Sequence, residues 1–140
     1  MHTECDLDSF KILYQDEYLV AIHKPAGLLV HRSPIDKRET QFALQMTRDA
    51  IGQKVFPFQR LDKATSGLLM FALDSETAHA MQMQMSAQTL EKSYWAICRG
   101  WVSESGEINR PLIYKKDKCG DDGIQSDEPQ EALTHYRCLV

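Results

Sequence analysis

The sequence predicts an α+β fold, a mixed or antiparallel sheet with flanking helices. Three observations predict it. Short segments read as strands at 18–24, which alternates, at 10–14, which puts Ile12 and Tyr14 on one face, and at 92–98, which sets Tyr94, Ala96 and Cys98 against Ser93, Trp95 and Ile97 with both faces semi-apolar. Two stretches, 40–51 and 74–87, place apolar residues at helical spacing. The two kinds of segment follow no regular βαβ beat, which disfavours a doubly wound parallel sheet. With 140 residues the chain is long enough for one domain with a real core.

Residues 1–9 read as a tail. The first strand spans 10–14, with Ile12 and Tyr14 on one face, and Gln15-Asp16-Glu17 turns the chain. Val20 and Ile22 are β-branched and support a second strand over 18–24. Pro25-Ala26-Gly27 stops it, and Leu28-Leu29-Val30 extends into a loop around Ser33-Pro34. Thr40 is the expected cap of a helix to about Ile51, whose inner face carries Ala43, Met46, Thr47, Ala50 and Ile51. Gly52 ends that helix. Val55 and Phe56 begin an extended piece that Pro57 marks as an edge or bend. Residues 68–73 are continuously apolar and read as a buried strand. Asp74 or Ser75 caps a second helix to about Ala87, with Ala78, Met81 and Met85 inward. A strand is expected over 92–98. Residues 103–130, acidic and rich in Gly and Asp, read as a long polar connection with a short extended piece at 111–114. Residues 132–140 are again strand-like. A strand that stops on Cys138-Leu139-Val140 predicts that more sequence follows.

Composition excludes several classes. Hydrophobic residues at 43% and charged residues at 26% are ordinary globular values, not those of a disordered chain. A net charge of −4 excludes a wholly basic nucleic-acid coat. The charge is uneven, however: residues 19–70 hold eight Lys or Arg against four acids, a local pointer to a polyanionic partner. Cys5, Cys98, Cys119 and Cys138 show no CxxC pair, so no zinc site is expected and free thiols are. His23 and His31 lack metal-ligand spacing. The N-terminus carries acids where a secretion signal carries cations, and no apolar run is long enough to span a bilayer. The expectation is a cytoplasmic protein with no metal and no membrane partner.

Chemistry concentrates in Gln59-Arg60-Leu61-Asp62-Lys63-Ala64-Thr65-Ser66-Gly67. A carboxylate stands between two cations, followed by hydroxyls and a glycine, and the segment leads into a buried strand. Loops at strand ends commonly carry reacting groups, and nearby cations favour an ionised carboxylate. The same residues also describe a plain capped turn with exposed charges.

Residues 60–69, Arg60-Leu61-Asp62-Lys63-Ala64-Thr65-Ser66-Gly67-Leu68-Leu69, resemble the R-L-D-x-x-T-S-G-[LV]-L signature of the RluA-type RNA pseudouridine synthases. Two more stretches agree in order and spacing. Residues 16–27, from Asp16-Glu17 to Lys24-Pro25-Ala26-Gly27, resemble the family's D-x-x-[LIV]-x-x-[LIV]-x-K-P-x-G pattern. Residues 92–100 resemble K-x-Y-x-A-x-[VC]-x-G. Val30-His31-Arg32-Ser33, Arg99-Gly100-Trp101 and Thr134-His135-Tyr136-Arg137 fit a tRNA-modifying subgroup. The resemblance covers residues 10–140 and implies the N-terminal portion of a pseudouridine synthase catalytic domain.

The resemblance implies that a specific uridine, in tRNA above ribosomal RNA, is flipped out and isomerised without a cofactor. Asp62 is then the catalytic aspartate and Tyr94 the tyrosine beside the flipped base. Arg60 helps extrude the base or fills its gap. Lys24, Arg32, Lys63 and Lys92 are candidate phosphate contacts. Thr65, Ser66 and Gly67 complete the motif. Two departures stand out. Gln59 replaces the family's histidine. The third motif, a G-R-x-H-Q-[IL]-R segment whose basic residue is expected to pair with the aspartate, is missing. The chain therefore reads as an N-terminal fragment with little activity alone. The competing readings are a non-catalytic RNA-binding module and a plain α+β domain acting on protein partners.

Overall fold

Alternation in residues 19–24 sends Val20, Ile22 and Lys24 to one face of a strand, and that face becomes the centre of the core. A computed structural model describes residues 7–32, 39–113 and 128–139. The expected loop at Ser33-Pro34, residues 114–127 of the polar connection and Val140 lie outside the described residues. The chain divides into two units, Met1–Lys92 and Ser93–Val140.

In the first unit, β1 (Lys11–Gln15), β2 (Leu19–Lys24), β3 (Phe56–Pro57) and β4 (Gly67–Ala72) form one antiparallel sheet in the order β1-β2-β4-β3. The Gln15-Asp16-Glu17 turn is built by Asp16. Its carboxylate accepts from the amides of Tyr18 and Leu19 and from the Tyr14 hydroxyl, at 2.7–2.8 Å. The β1–β2 register shifts between Ile12 and Tyr14, which leaves Leu13 as a bulge on the outer strand.

β2 and β4 carry the core. Val20 pairs with Phe71 and Ile22 with Leu69, and all four are at most 1% exposed. Leu28, Val30, Ala43 and Val55 pack onto the same cluster. The expectation of a wholly buried strand at 68–73 holds only in part, because Leu68 on the opposite face is 58% exposed. Pro57 stands on the outermost strand, β3, where its missing N–H costs no ladder bond.

α1 runs Ala43–Ile51, with Phe42 rather than Thr40 at its N-cap and no side-chain cap. Its first amides are satisfied by backbone instead: Ala43 donates to the Leu29 carbonyl and Leu44 to that of Val30. Thr40 is therefore not needed, and this start is set by a segment fourteen residues upstream. Ala43 and Thr47 face inward, whereas Ala50 is exposed. Gly52 ends the helix at φ 71°, a left-handed position suited to glycine. α2 (Ser75–Ser86) begins as its sequence indicates, with Asp74 accepting from the Thr77 amide. It lies against β4 and β3 through a half-buried stripe of Ala78, Met81 and Met85.

The second unit holds a two-stranded antiparallel ribbon, β5 (Ser105–Asn109) with β6 (Leu133–Arg137). β6 was expected; β5 falls inside the expected polar connection. Its sequence, Ser105-Gly106-Glu107-Ile108-Asn109, has weak strand propensity, and the ladder to β6 is what holds it extended. Gly106 faces Tyr136 so closely that a Cβ there would lie 2.6 Å from the phenol oxygen. The strand expected at 92–98 is not formed. Those residues are paired with no described strand, and Trp95 is 91% and Ile97 105% exposed. Alternation alone does not make a strand, which needs a neighbouring ladder for its backbone groups.

Two predictions follow from this packing. Phe71→Ala is expected to destabilise the first unit by about 3–5 kcal/mol. Leu68→Ala, three residues away on the open face, is expected to cost about 0.5 kcal/mol. Denaturant unfolding of both variants checks the contrast. The second prediction concerns acid. The Thr77 amide and hydroxyl hold the Asp74 carboxyl below its ordinary range, and the Tyr18 amide and Tyr14 hydroxyl do the same for Asp16. A depressed carboxyl stabilises the fold above its unfolded pKa and ceases to as pH falls through the folded value. Stability is thus expected to decline below about pH 4. The decline is expected to be shallower in the Asp16→Asn, Asp74→Asn double variant, read by thermal unfolding across pH 2–7.

Candidate active site

The segment expected to carry chemistry is a loop entering β4, and its local pattern explains its shape. From Leu61 to Gly67 burial alternates residue by residue. Leu61 is half-buried and packs on the core cluster, so Asp62 beside it points to solvent. Phe58, 7% exposed, anchors the loop at its other end. The Thr65 amide donates to the Asp62 carbonyl at 3.0 Å and closes a turn over the loop's tip. Gly67 opens β4 at φ 131°, a region that L side chains avoid, directly across the ladder from Lys24.

Lys24 does not present a charge to the surface. It continues the Val20–Ile22 face and is 0% exposed. Its ammonium donates to the carbonyls of Pro25 at 2.9 Å, Leu28 at 2.8 Å and Lys63 at 3.3 Å. The Lys63 carbonyl also accepts from the Gly27 amide at 2.7 Å. Hydrogen bonds to a charged group contribute about 1.5–3 kcal/mol each. Three of them are of the size needed to offset a burial penalty of several kcal/mol. The expected phosphate contact is thus replaced by an internal brace. It ties the turn after β2 to the carbonyl of Lys63, the residue that follows Asp62.

The side chain of Lys63 meets Glu39 at 3.0 Å, with both side chains about 40% exposed. Nothing in the motif pointed to Glu39, which lies 24 residues upstream and is brought in by the chain's path into α1. Asp62 is exposed, and its carboxylate has no hydrogen-bond or ion-pair partner among the described residues. The neighbouring cations thus flank it in sequence without pairing with it.

The other expected site residues are placed less closely. Arg60, Ser66 and Ala64 are exposed along the same loop, and Thr65 is half-buried. Arg32 and Lys92 are exposed, with no side-chain hydrogen bond or ion pair among the described residues. Tyr94 belongs to the second unit, 62% exposed on the unpaired stretch. His23 donates through Nδ1 to the Ser9 carbonyl, 2.9 Å away. Among the described residues no group of three or more His, Cys, Asp or Glu is placed to hold a metal ion, and no helix is long and apolar enough to cross a membrane. Cys98 is exposed as a free thiol.

A carboxylate on a loop whose following peptide is gripped by buried groups, at the mouth of an antiparallel sheet, is suited to act on a substrate brought to it from solvent. Comparison with known proteins bears on which substrate. Residues 18–140 match the family model described as RNA pseudouridylate synthase. The tRNA pseudouridine synthase C of Vibrio vulnificus is 52% identical over 93% of this chain and 54% of its own length. That of Pasteurella multocida is 51% identical over 94% of this chain and 55% of its own. The structure of human RNA pseudouridylate synthase domain containing 4 superposes with a TM-score of 0.64 at 29% identity, covering 91% of this chain and 53% of that one. The chain spans about half the length of the curated relatives it matches. With the signature loop, the strands that hold it and the match over residues 18–140 in agreement, the chain belongs to the RNA pseudouridylate synthase family.

Proposed function

We propose that this protein acts in the isomerisation of uridine to pseudouridine in tRNA, with Asp62 as the reacting carboxylate. The observation that carries the reading is the Asp62 loop: an exposed carboxylate whose own carbonyl is closed on Thr65 and whose next carbonyl is held by Lys24 and Gly27. The similarity to tRNA pseudouridine synthases supports the substrate class.

The reaction breaks the bond between ribose C1′ and uracil N1, turns the base, and joins C1′ to C5. The proton on C5 is lost and N1 gains one, so the product is an isomer. A uridine stacked in a helix hides C1′ from a protein side chain, so the nucleotide must first be flipped out. Asp62 then acts at the sugar as nucleophile or base, and either route uses an ionised carboxylate beside a carbon that becomes electron-poor. Arg60, two residues away and exposed, is proposed to occupy the gap or hold the backbone phosphate. By its resemblance to the family's tyrosine, Tyr94 is assigned to the flipped base and to the C5 proton transfer.

These 140 residues are proposed to turn over slowly by themselves. Asp62 lacks a cation among the described residues, and Tyr94 stands on a stretch that no described strand supports.

Site-mapped pseudouridine formation on unmodified tRNA tests the reading. The chain is expected to give slow product, and Asp62→Asn to lower it at least about 100-fold while RNA affinity is retained. Binding without product from either would favour the non-catalytic RNA-binding reading for this chain. Absence of RNA binding would sink both. Arg60→Ala is expected to weaken RNA binding and to lower the salt dependence of log Kd by about one unit of slope, measured by titration at several salt concentrations.

A further inference from the structure

We infer that Glu39 competes with RNA phosphate for the Lys63 ammonium, so that the ion pair of the free protein is exchanged for a phosphate contact when a nucleotide reaches Asp62. The inference rests on the functional reading for its ligand and deepens it by naming a residue that tunes substrate affinity.

The cations that the sequence marks as phosphate contacts differ in what surrounds them. Lys24 is sealed in the core. Arg32 and Lys92 are exposed, with no ion pair among the described residues. Lys63 is reachable from solvent and already meets a carboxylate, Glu39 Oε1, at 3.0 Å. Each of the two side chains is about 40% exposed. An ion pair this open to water gains little over two hydrated charges, so a competing anion can take over either partner.

Position decides which anion competes. Lys63 directly follows Asp62, so an RNA strand that delivers a ribose to Asp62 carries the flanking phosphates to the same loop. A phosphodiester accepts from an ammonium as a carboxylate does. Binding it also releases counterions condensed on the RNA, a gain that Glu39 does not offer. The change of partner leaves the loop in place. The Lys63 carbonyl is held by Lys24 and by the Gly27 amide, so the main chain stays while the flexible four-carbon stem swings. Glu39 is open enough to rehydrate where it stands. Until phosphate arrives, Glu39 cancels the charge of the cation next to the reacting carboxylate. A polyanion that fails to displace it meets a second carboxylate instead, so the pair lowers the affinity of this loop for loosely held strands.

The test is a double-mutant cycle on the affinity of the 140-residue chain for unmodified tRNA. The unsubstituted chain, Glu39→Gln, Lys63→Met and the double variant are titrated at one low salt concentration. Glu39→Gln is expected to tighten Kd about threefold or more, and Lys63→Met to weaken it by a similar factor. In the Lys63→Met background, Glu39→Gln is expected to leave Kd unchanged, because the ammonium for which Glu39 competes is gone. Equal tightening in both backgrounds would reveal plain charge repulsion and overturn the inference. Weaker binding by Glu39→Gln would mean that the pair must persist in the complex, and would overturn it as well. Should Lys63→Met not fold, Lys63→Gln completes the same cycle. The readout is affinity, so a chain that binds tRNA without yielding pseudouridine still decides the question. Absence of binding by all four chains would sink the functional reading and this inference together. Binding that Glu39→Gln does not alter would sink the inference alone.

Discussion

One buried ammonium organises the end of the sheet from which the candidate site projects. A charge in a core is tolerated only when its hydrogen-bonding capacity is met, and Lys24 meets it with three carbonyls drawn from two segments distant in sequence. The turn after β2 cannot drift from the loop before β4 without stripping that charge of its partners. The constraint then spreads. The segment leaving the turn supplies the Leu29 and Val30 carbonyls that receive the first amides of α1. The stretch before α1 carries Glu39, which meets the side chain of Lys63. The main chain and the side chain of Lys63 are therefore both fastened, to different parts of the first unit.

That arrangement divides labour between neighbours. Leu61 packs into the core, Lys63 is tied on both counts, and Asp62 between them is left to solvent. In the proposed reaction this matters because a group already held in place loses little freedom on reaching its transition state. It also leaves the carboxylate hydrated until a flipped nucleotide covers it. Electrostatic interactions then strengthen as water leaves. The substrate itself would supply the dry surroundings that the open loop lacks.

Much of this was readable in the residues because it is local. The Asp16 turn, the Asp74 cap, the Gly52 stop and the edge position of Pro57 each depend on chemistry within four residues. What was misread depends on distant partners. The start of α1 is set by Leu29 and Val30, so Thr40 misled. The stretch at 92–98 has a strand's pattern but no described ladder. β5 has a ladder but not a strand's composition. Lys24 shows the same limit at the site. Its charge pointed outward to phosphate, while its place in the Val20–Ile22 row pointed inward, and only the fold decides between them. The signature around Asp62 was legible as a motif; the Lys63–Glu39 pair and the grip on the Lys63 carbonyl were not.

The two outer strands of the four-stranded sheet share a property with a further consequence. β1 is broken by the bulge at Leu13, and β3 is two residues long and ends on Pro57, which has no N–H to donate. Neither rim offers an uninterrupted row of donors and acceptors to an arriving chain. Among the described residues both margins of the first unit's sheet are irregular, and strand-by-strand growth with a second molecule is discouraged there. Under the proposed function, an approaching RNA would meet side chains and loop ends there rather than an open backbone template. The same irregularities that interrupt the hydrogen-bond ladder thereby disfavour edge-to-edge pairing of the first unit with another copy of the protein.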